Sequence, residues 1–176
     1  VNSLLLMLGV GAGTLFLGVS AAWLTAMCEF PGRRFFNWAL LLPMAMPAYI
    51  IAYTYTGLLD FTGPVQTALR DTFDWGYGDY YFPQIRSIGG AICMLSLVLY
   101  PYVYMLVRIA FLEQSTAVLE ASRNLGKKPW QTLFSVALPM SRPAIVAGVS
   151  LALMETLADY GTVAYFGVSA FTTGIF

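Results

Sequence analysis

Long stretches of this chain carry no ionisable side chain. Asp, Glu, Lys and Arg are absent from Val1 to Cys28, from Phe35 to Leu59 and from Ser87 to Val107, and a fourth stretch beginning at Pro143 is apolar except for Glu155 and Asp159. A helix needs roughly 20 apolar residues to cross the hydrocarbon core, so these stretches predict spans over about residues 2–28, 36–59, 87–112 and 142–167. The expected fold class is an all-α polytopic membrane bundle of about four spans, with a polar connecting loop over about residues 113–141. The first stretch does not fit a signal peptide, because it lacks a basic start and exceeds an apolar region of about 7–15 residues.

Within the second stretch, LLLPMAMPAYIIAYTYTGLL, Pro43 and Pro47 each delete a backbone donor and push against the preceding turn. That helix is expected to bend or break near mid-membrane. Broken spans often line pathways, which makes Pro43 and Pro47 candidate pathway residues beside the alternative of a simple packed kink.

The polar segment between the third and fourth stretches reads as two short helices and an elbow. Ser115 or Thr116 supplies a cap for a helix through Leu125, Gly126 supplies the left-handed turn that ends it, and Pro129 suits the first turn of a second helix ended by Pro139. Leu119 lies among Glu120 and Arg123, and Trp130, Leu133 and Phe134 give the second helix an apolar face. Such an elbow suits insertion into a groove on a soluble partner.

Composition agrees with the membrane assignment: 59% of residues are hydrophobic, 10% are charged and the mean hydropathy is +0.71. Of the nine Lys and Arg, Arg33 and Arg34 fall in the first connection and Arg108, Arg123, Lys127, Lys128 and Arg142 at or in the third. Cytoplasmic loops are enriched in these residues, so the amino terminus and second connection are expected outside and the elbow inside. In the outer connection, the aromatics of DWGYGDYYFP (74–83) suit interfacial anchors or a docking surface for an outside partner.

Other chemistry is thin. Cys28 and Cys93 read as small packing residues with no disulfide framework, and the absence of histidine removes HExxH zinc sites and Ser-His-Asp triads from this chain. The glycines of GVGAG (9–13) lie inside a span, where small residues allow close helix approach. Gly126-Lys127-Lys128 has Ala121 where a Walker A loop needs glycine, so any nucleotide that drives the protein is bound by another chain. No cofactor, resident metal or nucleic-acid partner is expected, and the chain is not itself expected to be an enzyme.

Glu155 and Asp159 supply the clearest chemistry within a span. Four residues apart, they are expected on one helix face, and ionised carboxylates there cost about 2.5 kcal/mol or more, so they should face the bundle interior or water. They are candidate pathway residues; the alternative is a structural pair satisfied by neighbours or held protonated.

Glu120-Ala121-Ser122, three residues, Gly126, nine residues and Val136-Ala137-Leu138-Pro139 together resemble the EAA motif of permeases in binding-protein-dependent ABC importers. Ser122 and Val136 stand where that family more often has Ala and Ile. The resemblance implies that Glu120, Ala121, Ser122, Gly126, Val136, Leu138 and Pro139 form a cytoplasmic loop that contacts the ATPase. Residues 47–71 and 155–176 look like the ferric-iron permeases of this superfamily, whose chain usually fuses two transmembrane halves. On that resemblance the chain is expected to be roughly the amino-terminal half of a longer permease of the bacterial inner membrane. Its implied partners are cytoplasmic ABC ATPase subunits, a periplasmic substrate-binding protein, a second permease half and the lipid membrane.

Iron(III) is the expected substrate; related permeases carry thiamine, phosphonate, polyamine or sulfate. The rival function is a proton-coupled secondary transporter using Glu155 and Asp159 as a relay. An elbow of this kind has no purpose in such a carrier.

Overall fold

The computed structural model describes residues 2–73, 84–114, 120–122 and 124–168. The proposed caps Ser115 and Thr116, together with Leu119, Arg123 and the aromatic run 74–83, lie outside them.

The first apolar stretch forms one helix, α1 (Asn2–Met27), with a buried stripe of Leu6, Val10, Thr14, Gly18, Ala22 and Thr25. The near-constant spacing of four keeps these residues on one face of a 3.6-residue helix. Its last carbonyls are not left bare, because Arg33 donates through Nε to Thr25 O (2.6 Å) and through Nη2 to Ala26 O (2.9 Å). A guanidinium there also complements the negative end of the helix dipole.

The second stretch is broken. It comprises α2 (Arg33–Ala39), a 3₁₀ turn over Leu42–Ala45 and α3 (Ala48–Leu59), with a bend of 99° at the break. Pro43 is the second residue of the 3₁₀ turn, and Met46 is extended at φ −116°, ψ 136° immediately before Pro47. The ring of Pro47 disfavours helical geometry in the residue before it, so the chain leaves the helix there and restarts after the proline. Tyr100 Oη donates to Leu40 O (2.8 Å) and ties this interrupted segment to the core.

Beyond α3 the sequence reads as a loop, but residues Pro64–Phe73 form a further helix, α4. Its buried Gln66 donates to Leu59 O (2.8 Å), and Arg70 donates to Phe61 O (2.9 Å) while its guanidinium lies 4.3 Å from the Phe61 ring centre.

The centre of the bundle is α5 (Ile88–Glu113), capped at its start by Ser87 Oγ, which accepts from Gly90 N. Two apolar clusters meet along it, one with Leu95, Leu99 and Ala52, the other with Val103, Tyr104, Val107 and Phe111. Gly9, Gly13 and Gly18 of α1 face Ile92, Ser96 and Val103 in turn, so α1 and α5 run in the same direction at close range. The segment between them therefore returns across the same thickness, as one bent crossing would. The packing role read for Gly9 and Gly13 is what these contacts display.

After the elbow come α6 (Pro129–Met140), a bend of 74°, α7 (Arg142–Ala158) and the short α8 (Gly161–Tyr165). Pro139 does not end α6, contrary to expectation. The helix widens over Leu133–Ala137, where the Leu138 amide reaches back five residues to Leu133 O, and then runs through the proline to Met140. A proline ring clashes with the carbonyl four residues before it, and a widened turn relieves that clash without breaking the helix.

The fourth stretch also differs from a single span over 142–167. α7 ends at Ala158, with Asp159 as its cap: Asp159 N still donates to Glu155 O (2.9 Å), which keeps the two acids on one side of the helix end, and its ψ of 112° turns the chain after it out of the helix. Cys93 is exposed, and Cys28 and Cys93 are both free.

Candidate functional site

Two constellations carry the chemistry. The first is the elbow. Residues 120–122 and 124 are helical. The helix closes when Leu125 N donates to Ala121 O (3.0 Å) and Lys127 N to Ser122 O (3.2 Å), around Gly126 at φ +76°. This six-residue closure over a left-handed glycine is a Schellman turn. Lys128 is extended, Pro129 opens α6, and Gln131 Oε1 accepts from Lys128 N (2.9 Å).

The two arms are clasped by hydroxyls. Ser122 Oγ and Thr132 Oγ1 lie 2.8 Å apart, and both residues are buried. On the outer side, Trp130 (60% exposed) and Phe134 (61% exposed) stack edge to face with centroids 6.0 Å apart. A shallow recess beside them is formed by Lys127, Trp130, Gln131, Phe134 and Ser135, with Lys127 Nζ donating to Ser135 Oγ (2.9 Å). Leu133, read as part of this outward face, instead packs into the bundle beside Ala137.

The resemblance-derived coupling residues therefore divide. Glu120, Ala121 and Gly126 are exposed, Ser122 is buried in the clasp, and Val136, Leu138 and Pro139 are half-buried. The motif has one end facing out and the other set into the bundle.

The second constellation is a cavity of about 510 Å³ where the break in the second stretch meets the end of α7. Met44 to Ala48, Leu95, Leu99 and Tyr102 form much of its wall, with Glu155 and Asp159 at the α7 end. Pro47 is in this wall; Pro43 is not. Asp159 Oδ1 accepts from Thr162 N (3.0 Å), so one carboxylate oxygen caps the first turn of α8. Glu155 is exposed on the last turn of α7. Among the described residues no three His, Cys, Asp or Glu side chains gather as a metal site. What the two acids offer is a negative field beside the apolar side chains of the broken segment and α5.

Sequence reasoning missed the hydroxyl clasp and the Arg33 cap. Each joins residues across a turn, and the only local signal was a hydroxyl on each arm and a basic residue soon after an apolar helix.

The chain is similar to several permeases. It is 28% identical over 175 residues to the Fe(3+)-transport system permease protein FbpB 2 of Haemophilus influenzae, covering 99% of this chain and 30% of that protein. It is 27% identical over 144 residues to the molybdenum transport system permease protein ModB of Escherichia coli K12, covering 82% of this chain and 60% of that one. It is 28% identical over 153 residues to the sulfate transport system permease protein CysT of the same strain, covering 84% and 50%. The chain thus spans from 30% to 60% of the length of these relatives. A family model described as "Binding-protein-dependent transport system inner membrane component" matches residues 14–175, and the chain belongs to that family as a multi-pass protein of the bacterial inner membrane.

Proposed function

We propose that this chain forms part of the translocation path of an ATP-driven importer that takes iron(III) from a periplasmic binding protein. The carrying observation is the cavity in which a proline-broken segment meets Glu155 and Asp159. Cytoplasmic ATPase subunits dock on the elbow, using Trp130 and Phe134. A second permease half and lipid cover apolar side chains left open on the outside of the bundle, such as Leu4, Leu8 and Phe16. ATP is hydrolysed on the separate ATPase chains.

Iron is favoured by electrostatics. Two carboxylates attract a hard cation and repel molybdate or sulfate, the oxyanion substrates in the names of two relatives. The similarity to a ferric permease over 99% of the chain supports the same reading.

One observation favours an anion instead. Pro47 and Ala48 line the cavity, so the amino terminus of α3 lies against it. A helix terminus presents about half a unit of positive charge. Two carboxylates outweigh it, and the cation reading stands ahead.

The deciding experiment measures uptake by the complete permease in proteoliposomes with its ATPase and binding protein, offering labelled iron(III) and labelled molybdate. The Glu155→Gln, Asp159→Asn double variant keeps size and keeps an oxygen for Thr162 N. Iron uptake is expected to fall about tenfold or more with ATPase association intact. Undiminished iron uptake removes the pathway role, and wild-type uptake of molybdate but not iron establishes the anion reading.

A further inference from the structure

Gln114 ends α5 in extended geometry, at φ −63° and ψ 133°, where the chain departs toward the elbow. Its side chain turns back into the protein. Gln114 Nε2 donates to Ala137 O at 3.0 Å and to Ser141 Oγ at 2.9 Å, so one amide reaches both α6 and the bend between α6 and α7. Among the described residues Gln114 Oε1 is buried without a hydrogen-bond partner.

The bend is a place where backbone hydrogen bonding is thin. Pro139 and Pro143 stand on either side of it, and neither has an N–H to give. Ser141 is buried at 1% exposure, its amide is shared between Ala137 O and Leu138 O (both 3.1 Å), and its carbonyl accepts from Ile145 N to start α7. Ala137 is fully buried as well. The Gln114 amide supplies two donor contacts where the prolines supply none.

At its other end this link joins α5, which is closely packed in the bundle. A Cβ on Gly148 would stand 2.8 Å from Val103 Cα, and one on Gly18 would stand 2.6 Å from Val103 Cβ, so α5 is gripped closely by both α7 and α1. Close-packed interiors transmit displacement instead of absorbing it. At the outer end, the Ser122–Thr132 clasp holds the first arm of the elbow to α6.

We propose that Gln114 is the joint through which movement of the elbow reaches the core: its amide couples α6 and the Ser141 bend to the end of α5. Gln114 is a positioning residue, since it acts through Ala137 and Ser141 and does not face the cavity lined by Glu155 and Asp159. The inference rests on the importer reading above, because it assumes that a nucleotide-driven partner moves the elbow.

Amide exchange in the complete permease–ATPase complex in lipid nanodiscs, with and without a non-hydrolysable ATP analogue, tests the joint without needing the substrate. In the wild type the analogue is expected to change protection both in the elbow, residues 124–134, and at the end of α5, residues 106–113. Gln114→Met keeps the length and bulk of the side chain but removes its donors. In that variant the elbow response should remain while the α5 response falls about fivefold or more. Ser141→Ala, which leaves the Ala137 contact, should reduce it less, and the double variant should match Gln114→Met because both changes act on one link. A full α5 response in Gln114→Met overturns the joint, and so does a fully additive double variant. Should Gln114→Met fail to assemble, an undiminished α5 response in Ser141→Ala is the overturning result. Absence of any nucleotide response at the wild-type elbow would refute the importer reading itself, which is a distinct outcome.

Discussion

At Gly126 the backbone sits at φ +76° with nothing within 4 Å of where a Cβ would stand, so conformation alone restricts the residue there. Gly126→Asn should therefore be tolerated, since Asn visits the left-handed region, whereas Gly126→Val meets a cost of roughly 1–2 kcal/mol and misaims α6. We expect uptake by the complete permease to fall severalfold in the valine variant at normal expression and to stay near wild type with asparagine. Normal uptake by a well-expressed valine variant removes the glycine turn from the coupling device. The hydroxyl clasp behaves as a pair. Ser122→Ala alone leaves the Thr132 hydroxyl buried without its closest partner, at a cost of about 1–3 kcal/mol, while Ser122→Ala with Thr132→Val removes both groups and should recover most of that loss. Thermal unfolding of the purified single and double variants checks this, and an additive double variant would show that the hydroxyls do not act on each other.

Among the elements, the contact of α7 with α5 depends on the absence of a side chain at Gly148, where the nearest obstacle is backbone. Backbone cannot rotate aside as a side-chain tip can, so Gly148→Leu should push the helices apart. The expected loss is about 1–3 kcal/mol or more, read as a lower unfolding temperature, and an unchanged value would deny the close approach. Helices α1 and α5 were legible in the sequence because their apolar runs continue past the length of a span, and α5 runs on through its internal Pro101. The interruption at Met46 was legible too, since Pro47 acts on the residue before it through local sterics. The α4 helix was not, because Gln66, Thr67, Arg70 and Asp71 lower its hydropathy to that of a loop, and its order comes from tertiary contacts such as Gln66 with Leu59. The end of α7 at Asp159 was equally hidden. Four-residue spacing says nothing of where a helix stops, and the hydrogen bond to Thr162 N belongs to the next turn of chain.

For the molecule as a whole, the parallel run of α1 and α5 and the basic residues near the elbow set one expected orientation. In a background lacking Cys28 and Cys93, a cysteine replacing Thr62 should react with an impermeant thiol reagent on intact cells, and one replacing Lys127 should not. Reversed labelling would invert the molecule and place the elbow beyond reach of any cytoplasmic ATPase. The same geometry gives Pro139 a task that its place in a motif does not suggest. The turn over Leu133–Ala137 holds more chain than an ordinary helical turn, and the amino-terminal part of α6 inherits its angular phase from it. With Pro139→Ala the reason for the widened turn is gone, and tightening it by one residue would swing Trp130 and Phe134 by about 100° around the helix axis. The motif proline then works as a bearing, fixing the compass direction in which the aromatic pair is offered to whatever docks below the bundle. Loss of a disulfide cross-link from residue 130 to the ATPase in Pro139→Ala, with gain of one from residue 131 or 133, would record that rotation.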